Sequence, residues 1–210
     1  MNILIFGSSI TWGAWDIEGG WAQRLKSFCD NKAIATNFEM YNAVYCLGIS
    51  GDKSTDLLER FESEIKARID EDEKTLILVE IGINDSQFLL KENKHRVSPE
   101  EYKENIIRLI EITKELHVDL IFIGLTPVDK RVDPTPWTPG KTYRLEFIKQ
   151  YDEILRNVSE EYNIPHIKLI IKFPKDEYQN LLNDGLHPST AGHKIMYEEV
   201  KKYLTEQGLI

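Results

Sequence analysis

The sequence is poor in cysteine and has no long apolar run, and both absences narrow the class of protein. Cys29 and Cys46 are the only two cysteines among 210 residues. They do not form a C-x-x-C pair, so we expect two reduced, buried thiols and no disulfide. No segment reaches the roughly 18 apolar residues that a membrane-spanning helix needs. The first apolar segment begins within one residue of Met1, without the basic and apolar regions of a secretory signal. These features predict a soluble, cytoplasmic protein.

The sequence is also short of positive charge and of metal-binding patterns. It has 26 Lys and Arg residues against 35 Asp and Glu residues, a formal net charge of −9. A negative chain repels nucleic-acid phosphates and anionic membrane surfaces, so we expect neither as a partner. There is no H-E-x-x-H motif, no Cys–His cluster at ligand spacing and no G-x-G-x-x-G after a predicted strand. The sequence therefore requires neither a metal nor a nucleotide cofactor.

Short apolar segments alternate with longer segments of helical periodicity. Strands are predicted at Ile3–Phe6, Met40–Leu47, Leu76–Ile81, Leu120–Ile123 and His166–Ile170. Helices are predicted at Trp21–Asp30, along Leu57–Ile69, after a cap at Ser98, at Thr142–Tyr162 and at Thr190–Thr205. Continuous apolar strands are typical of a parallel sheet with helices on both faces, and no linker or repeat divides the chain. We therefore predict a single α/β domain over residues 1–210.

Polar segments that contain glycine follow three of the predicted strands. They are Gly7–Ser9, Gly48–Gly51 and Gly82–Asp85, and a loop beyond the last strand carries Asp184 and His187. Parallel strands joined by right-handed crossovers end at the same edge of a sheet, and ligands of open α/β sheets bind at that edge. We therefore expect these segments to meet in space.

The residue types at this edge are those of nucleophilic catalysis. A serine hydroxyl becomes a strong nucleophile when an imidazole takes its proton, and a carboxylate holds that imidazole in the required tautomer. Acyl transfer also needs donors for the carbonyl oxygen, which glycine-turn amides and the Asn84 side chain can supply. Taken singly, Ser8 and Ser9 could be turn residues, and Asn84–Asp85 and Asp184–Gly185 could be ordinary turns. No single segment identifies the activity.

Four separated segments resemble, in order, the sequence blocks of the SGNH hydrolases, also called GDSL esterases or lipases. Gly7-Ser8-Ser9 is similar to the family's Gly-Asp-Ser, and Gly48-Ile49-Ser50-Gly51-Asp52 is similar to its second block. The Gly-x-Asn-Asp and Asp-x-x-His blocks are intact as Gly82-Ile83-Asn84-Asp85 and Asp184-Gly185-Leu186-His187. One such match is weak, whereas four in order across nearly the whole chain are specific.

This resemblance implies a fold, a site and a reaction. The implied fold is a flavodoxin-like three-layer α/β/α sandwich with a five-stranded parallel sheet. The implied catalytic residues are Ser9 as nucleophile with Asp184 and His187. The implied oxyanion hole combines the backbone N–H groups of Ser9 and Gly51 with the side chain of Asn84. The implied activity is serine ester hydrolysis through an acyl-enzyme, without a cofactor, on a small-molecule ester.

Other features bear on the substrate and on alternative functions. Trp12, Trp15 and Trp137 are candidate residues of the substrate groove, although Trp137 could equally pack under its own loop. The lack of a long apolar lid segment favours short acyl chains. An acyltransferase that uses the same site stays open, as does a non-catalytic binding domain on the same scaffold. The second alternative arises because Ser8 replaces the family's usual Asp.

Overall fold

The five predicted strands form one parallel sheet in the computed structural model, which describes residues 1–70 and 72–210. The strands are β1 (Asn2–Gly7), β2 (Ala43–Gly48), β3 (Thr75–Glu80), β4 (Asp119–Ile123) and β5 (His166–Ile167). They lie in the order β2-β1-β3-β4-β5, and every neighbouring pair is parallel. This 2-1-3-4-5 order is that of flavodoxin-like sheets.

Helices cover both faces of this sheet. They are α1 (Ser9–Trp12), α2 (Gly20–Ala35), α3 (Ser54–Lys66), α4 (Ile83–Ser86), α5 (Pro99–Glu115), α6 (Leu145–Tyr162) and α7 (Thr190–Glu206). α2 packs against α7, whereas α5 packs against both α3 and α6. The fold is therefore the predicted three-layer α/β/α arrangement. Within the described part of the chain, no helix has the length and apolar character needed to cross a membrane.

The central strands are buried on both faces, which explains their continuous apolar sequence. The side chains of 3–6 in β1 and 76–79 in β3 are almost wholly shielded from solvent. Large side chains of the helices complete the core, among them Trp21, Phe61, Tyr102 and Tyr151. Burying each such side chain contributes about 1.5–3 kcal/mol. The ends of β1 and β3 are thereby held firmly, together with the polar segments that follow them.

The edge strand β2 differs from its prediction. It begins at Ala43 rather than Met40, and both Met40 and Tyr41 are exposed. Because β2 is the last strand of the sheet, one of its sides lacks a neighbouring strand and Cys46 is exposed. The expectation of a buried thiol is therefore wrong for Cys46. It holds for Cys29, and both cysteines are free.

Two further predicted elements are shorter in the structure. β5 ends at Ile167, because Leu169 already adopts a helical backbone conformation. α6 begins at Leu145 rather than Thr142, because Thr142 pairs with Phe88 in a small antiparallel sheet separate from the main one. The change in α6 comes from a contact with a distant residue, which overrides the local periodicity.

Candidate active site

Ser9 opens the short helix α1 directly after β1. The N–H of Trp12 donates to the carbonyl of Ser8 at 2.9 Å, which closes the turn. Gly7 lies so close to this turn that a Cβ atom there would be 2.1 Å from Oγ1 of Thr11. Glycine is therefore required where the strand passes into the helix. The result is a serine held rigidly at the carboxyl edge of the sheet.

The structure brings together the three side chains that the sequence predicts as catalytic. Oγ of Ser9 lies 2.9 Å from Nε2 of His187, and Nδ1 of His187 lies 2.7 Å from Oδ2 of Asp184. Oδ1 of Asp184 accepts the backbone N–H groups of Leu186 at 2.9 Å and of His187 at 2.8 Å. Because a carboxylate faces Nδ1, that nitrogen carries the proton and Nε2 is free to accept the serine hydroxyl.

The charge of Asp184 is strongly stabilised. Partial burial alone would raise the pKa of this carboxyl, but hydrogen bonds from the ring and backbone of His187 lower it to about 2. The indole N–H of Trp15 also donates to Oδ2, at 3.0 Å. The same N–H lies 3.1 Å from Nδ1 of His187, but a protonated Nδ1 cannot accept it, so Asp184 is the acceptor. The carboxylate is ionised at neutral pH and can stabilise an imidazolium.

The loop that carries Asp184 and His187 is held by an ion pair that no sequence block contains. Nη2 of Arg131 lies 2.7 Å from Oδ2 of Asp129, and the backbone N–H of Asp129 donates to the carbonyl of Gly185 at 2.9 Å. The Arg131 guanidinium also donates to three backbone carbonyls of this region, those of Gln179, Leu182 and Asn183. A charge-assisted network of this kind fixes the loop backbone.

The turn after β2 and helix α4 contain the other two predicted oxyanion donors, Gly51 and Asn84. Nδ2 of Asn84 donates to the carbonyl of Asp52 at 3.0 Å, so the two segments are in contact. Gly51 has a φ of +90°, a conformation that favours glycine. Gly48, at the end of β2, lies so close to α1 that a Cβ there would be 2.4 Å from the nitrogen of Trp12. The three segments therefore converge at one end of the sheet.

Two further contacts hold α4 in place. The phenol O–H of Tyr143 donates to Oδ1 of Asn84 at 2.8 Å. Asp85 accepts the backbone N–H of Ser54 at 3.0 Å and also the Ser54 hydroxyl. Burial raises the pKa of Asp85 to about 6, although the hydrogen bonds from Ser54 oppose this shift. Asp85 belongs to a sequence block, whereas Tyr143 belongs to none and could not be found from a pattern.

A buried carboxyl group lies next to the turn that carries Ser9. Ser8, which replaces the family's usual Asp, is buried and its side chain does not cap α1. Glu80, the last residue of β3, pairs in register with Gly7 and accepts the hydroxyl of Thr11 at 2.6 Å. Burial raises the pKa of Glu80 to about 8, although the hydrogen bond from Thr11 lowers it. Glu80 is therefore predominantly neutral at pH 7.

A cavity of about 570 Å³ opens beside His187. Its lining residues are Trp12, Ala14, Trp15, Ser50, Trp137, Asn183, Asp184 and His187. The three tryptophans predicted for the groove are 58%, 63% and 49% exposed in chain order. The ring of Trp137 lies 6.4 Å from that of His187, so it faces the cavity rather than packing under its own loop.

Cavity volume alone does not identify the candidate site. A larger groove of about 870 Å³ lies between α2 and α7, and none of the predicted site residues line it. Of the predicted triad residues, Asp184 and His187 line the smaller cavity. Over residues 1–70 and 72–210, no three or more His, Cys, Asp or Glu side chains are grouped so that they could hold a metal ion.

Comparisons with known proteins find relatives that are similar in sequence and in fold. The model of the GDSL-like Lipase/Acylhydrolase family matches residues 5–195. The isoamyl acetate-hydrolyzing esterase of Saccharomyces cerevisiae is 26% identical over 219 residues, which cover 97% of this chain and 85% of that protein. A variant of the acetyl xylan esterase from Geobacillus stearothermophilus has a TM-score of 0.72 at 25% identity, covering 99% of this chain and 94% of the other. The lipase/acylhydrolase from Enterococcus faecalis shares the fold, with a TM-score of 0.74 at 23% identity and coverage of 98% and 96%.

Proposed function

Because the chain belongs to the GDSL-like lipase/acylhydrolase family and is a serine carboxylic ester hydrolase, we propose that it cleaves small esters with short acyl chains through an acyl-enzyme on Ser9. The observation that carries this proposal is the 2.9 Å contact between Oγ of Ser9 and Nε2 of His187. A hydroxyl so placed can pass its proton to the imidazole as it attacks.

The proposed reaction has two halves. Nε2 of His187 takes the Ser9 proton while Oγ attacks the ester carbonyl carbon, and Asp184 stabilises the imidazolium. The oxyanion accepts hydrogen bonds from the N–H groups of Ser9 and Gly51 and from the Asn84 amide. The C–O bond then breaks, and His187 gives its proton to the departing alcohol. Water activated by His187 attacks the acyl-enzyme, which releases the acid and restores the serine hydroxyl.

Two observations support a short acyl chain. The cavity beside His187, at about 570 Å³, is lined by three tryptophans together with Ala14 and polar residues. The sequence contains no long apolar segment that could form a lid over it. The yeast relative and the Geobacillus stearothermophilus structure are both named for acetate esters. We therefore propose that acetyl is the preferred acyl group and that the alcohol part contacts the tryptophans.

Substrate preference can be tested with p-nitrophenyl esters of graded acyl length, together with isoamyl acetate and acetylated sugars. We expect kcat/KM to be highest for the acetyl ester and to fall as the acyl chain lengthens. A maximum at long-chain esters would contradict the proposal. Product analysis with competing alcohols separates hydrolysis from acyl transfer, because a transferase would make the ester of the added alcohol.

The acyl-enzyme can be tested directly by labelling. We expect a fluorophosphonate to modify Ser9 and to leave the Ser9→Ala variant unmodified, as judged by peptide mapping. A non-catalytic binding domain would not react. Modification at another serine, or none, would contradict the assigned nucleophile.

A further inference from the structure

The side chain of Tyr143 is buried against Asn84, although 59 residues separate the two in the sequence. Its phenol O–H donates to Oδ1 of Asn84 at 2.8 Å. Tyr143 contacts neither Ser9 nor His187 through a hydrogen bond among the residues that the structure describes. Any effect of this hydroxyl on the reaction must therefore pass through Asn84.

Two hydrogen bonds together set the orientation of the Asn84 side-chain amide, one from Tyr143 and one to the carbonyl of Asp52. A planar carboxamide has one acceptor oxygen and two donor hydrogens. The Tyr143 hydroxyl donates to the amide oxygen Oδ1, and Nδ2 donates one of its hydrogens to the carbonyl of Asp52 at 3.0 Å. The reversed amide would set Oδ1 against that carbonyl, two acceptors facing each other, so the observed orientation is the stable one. The second hydrogen of Nδ2 is then left for another acceptor.

Tyr143 is itself held firmly. Its backbone N–H donates to the carbonyl of Val132 at 3.0 Å, and the neighbouring Thr142 hydroxyl donates to Asp133. Burial raises the pKa of Tyr143 to about 12, so the phenol keeps its proton at every pH at which an esterase of this kind would be assayed. The same loop carries Trp137 at the rim of the cavity.

We propose that Tyr143 is a positioning residue of the oxyanion hole, whose O–H holds the Asn84 amide so that its free hydrogen is directed at the ester carbonyl oxygen. This inference rests on the proposed function, because it needs Asn84 to be an oxyanion donor. A donor fixed before the reaction needs no reorganisation as charge develops, and this is the main source of its effect on the rate. Donation by the phenol also polarises the amide and strengthens its remaining N–H as a donor.

The test is a double-mutant cycle on p-nitrophenyl acetate, with enzyme concentration set by fluorophosphonate titration so that only folded, reactive protein is counted. Tyr143→Phe removes only the hydroxyl, and we expect kcat to fall by about 3- to 10-fold with KM within about twofold. Asn84→Ala alone should lower kcat by ~10²–10³. In the Asn84→Ala background, Tyr143→Phe should change kcat by less than about twofold, because residues that act through one another are not additive.

The matched control is Tyr151→Phe, which removes a buried phenol whose partner is the backbone carbonyl of Val97. We expect its kcat to equal that of the wild type. If Tyr143→Phe yields too little folded protein, Tyr143→Met fills a similar volume without a donor and must show the same loss.

The outcomes separate the inference from the proposed function. An unchanged kcat in Tyr143→Phe, or an equal loss in the presence and absence of Asn84, overturns the positioning role. If Asn84→Ala itself keeps wild-type kcat, Asn84 is not an oxyanion donor and the proposed mechanism is wrong at that point. A loss in Tyr143→Phe that disappears only in the Asn84→Ala background supports the inference.

Discussion

The indole N–H of Trp15 and the ring N–H of His187 both donate to Oδ2 of Asp184, at 3.0 Å and 2.7 Å. Trp15 therefore lines the cavity and also donates a hydrogen bond to Asp184, the proposed triad carboxylate. Its ring meets that of His187 edge to face, with centroids 5.8 Å apart. An exposed tryptophan beside a proposed triad can thus affect both substrate binding and the rate of the chemical step.

Replacing Trp15 can separate these two effects. Trp15→Phe keeps an aromatic wall and removes the donor. A hydrogen bond to a charged group contributes about 1.5–3 kcal/mol, and water can replace part of it at this exposed edge, so we expect kcat to fall by roughly 3- to 10-fold. Trp15→Ala should in addition raise KM, because the wall itself is lost. Steady-state kinetics in which Trp15→Phe matches the wild-type kcat would show that the hydrogen bond has no catalytic effect.

Glu80 should make the stability of the protein depend on pH. Its pKa is about 8 in the folded state, against an ordinary value of 4.5. Between pH 4.5 and about pH 8 the unfolded chain binds fewer protons at Glu80 than the native chain does. The contribution of Glu80 to the free energy of unfolding therefore falls as pH rises. The slope is at most about 1.4 kcal/mol per pH unit. Glu80→Gln keeps an acceptor for the Thr11 hydroxyl but cannot ionise, so it should remove this slope.

The informative window is pH 6.5 to 8. Burial lowers the pKa of His166 and His193 from 6.5 to about 4, so their protonation in the unfolded chain adds a slope of opposite sign up to about pH 7.5, and Asp85, with its pKa raised to about 6, adds a small slope near pH 6.5. These contributions are the same in the wild type and in Glu80→Gln, so the difference between the two slopes isolates Glu80. Urea unfolding at several pH values measures the slope. The exposed Glu59→Gln should behave as the wild type. A wild-type slope retained in Glu80→Gln would show that Glu80 is not the responsible group.

Gly185 should be required by the loop that places Asp184 and His187. Its φ is +94°, and a Cβ atom there would lie 2.8 Å from Oδ1 of Asp129. Gly208 is a matched control, because its φ is +66° and a Cβ there would meet nothing within 4 Å. An alanine at either position should cost about 1–2 kcal/mol of backbone strain.

The two variants should differ in activity. We expect Gly185→Ala to lower kcat by about 10-fold or more, because a small displacement of catalytic groups is costly. Gly208→Ala should keep the wild-type kcat. Equal kcat values for both alanine variants, measured on folded protein, would argue against a tightly held loop.

Much of the fold was predictable because strands that are buried on both faces need continuous apolar sequences. The central residues of β1 (3–6) and β3 (76–79) are apolar because both faces of the sheet are covered, and the parallel order of the strands follows from the helical crossovers. The ends of β2, β5 and α6 were not predictable in the same way. They depend on an unpaired sheet edge and on the pairing of Thr142 with Phe88, which no local pattern encodes.

The candidate site also has residues that sequence patterns predict and contacts that they do not predict. Ser9, Asn84 and His187 could be predicted because the chemistry proposed for them requires particular residue types in short sequence blocks. The contacts that hold these residues in place have no comparable pattern in the sequence. Tyr143 meets Asn84 across 59 residues, and Trp15 meets Asp184 across 169. Any residue that presents a donor at the right place would serve, so only three-dimensional structure reveals which one does.

The central claim is that one hydroxyl, that of Ser9, performs the chemistry at this site. The most direct test is the rate of p-nitrophenyl acetate hydrolysis by Ser9→Ala, with urea unfolding to show that the variant is folded. We predict that the rate falls to the buffer background, a loss of at least about 10³-fold, while the unfolding midpoint stays close to that of the wild type. A folded Ser9→Ala protein that hydrolyses the ester at an undiminished rate would contradict the account.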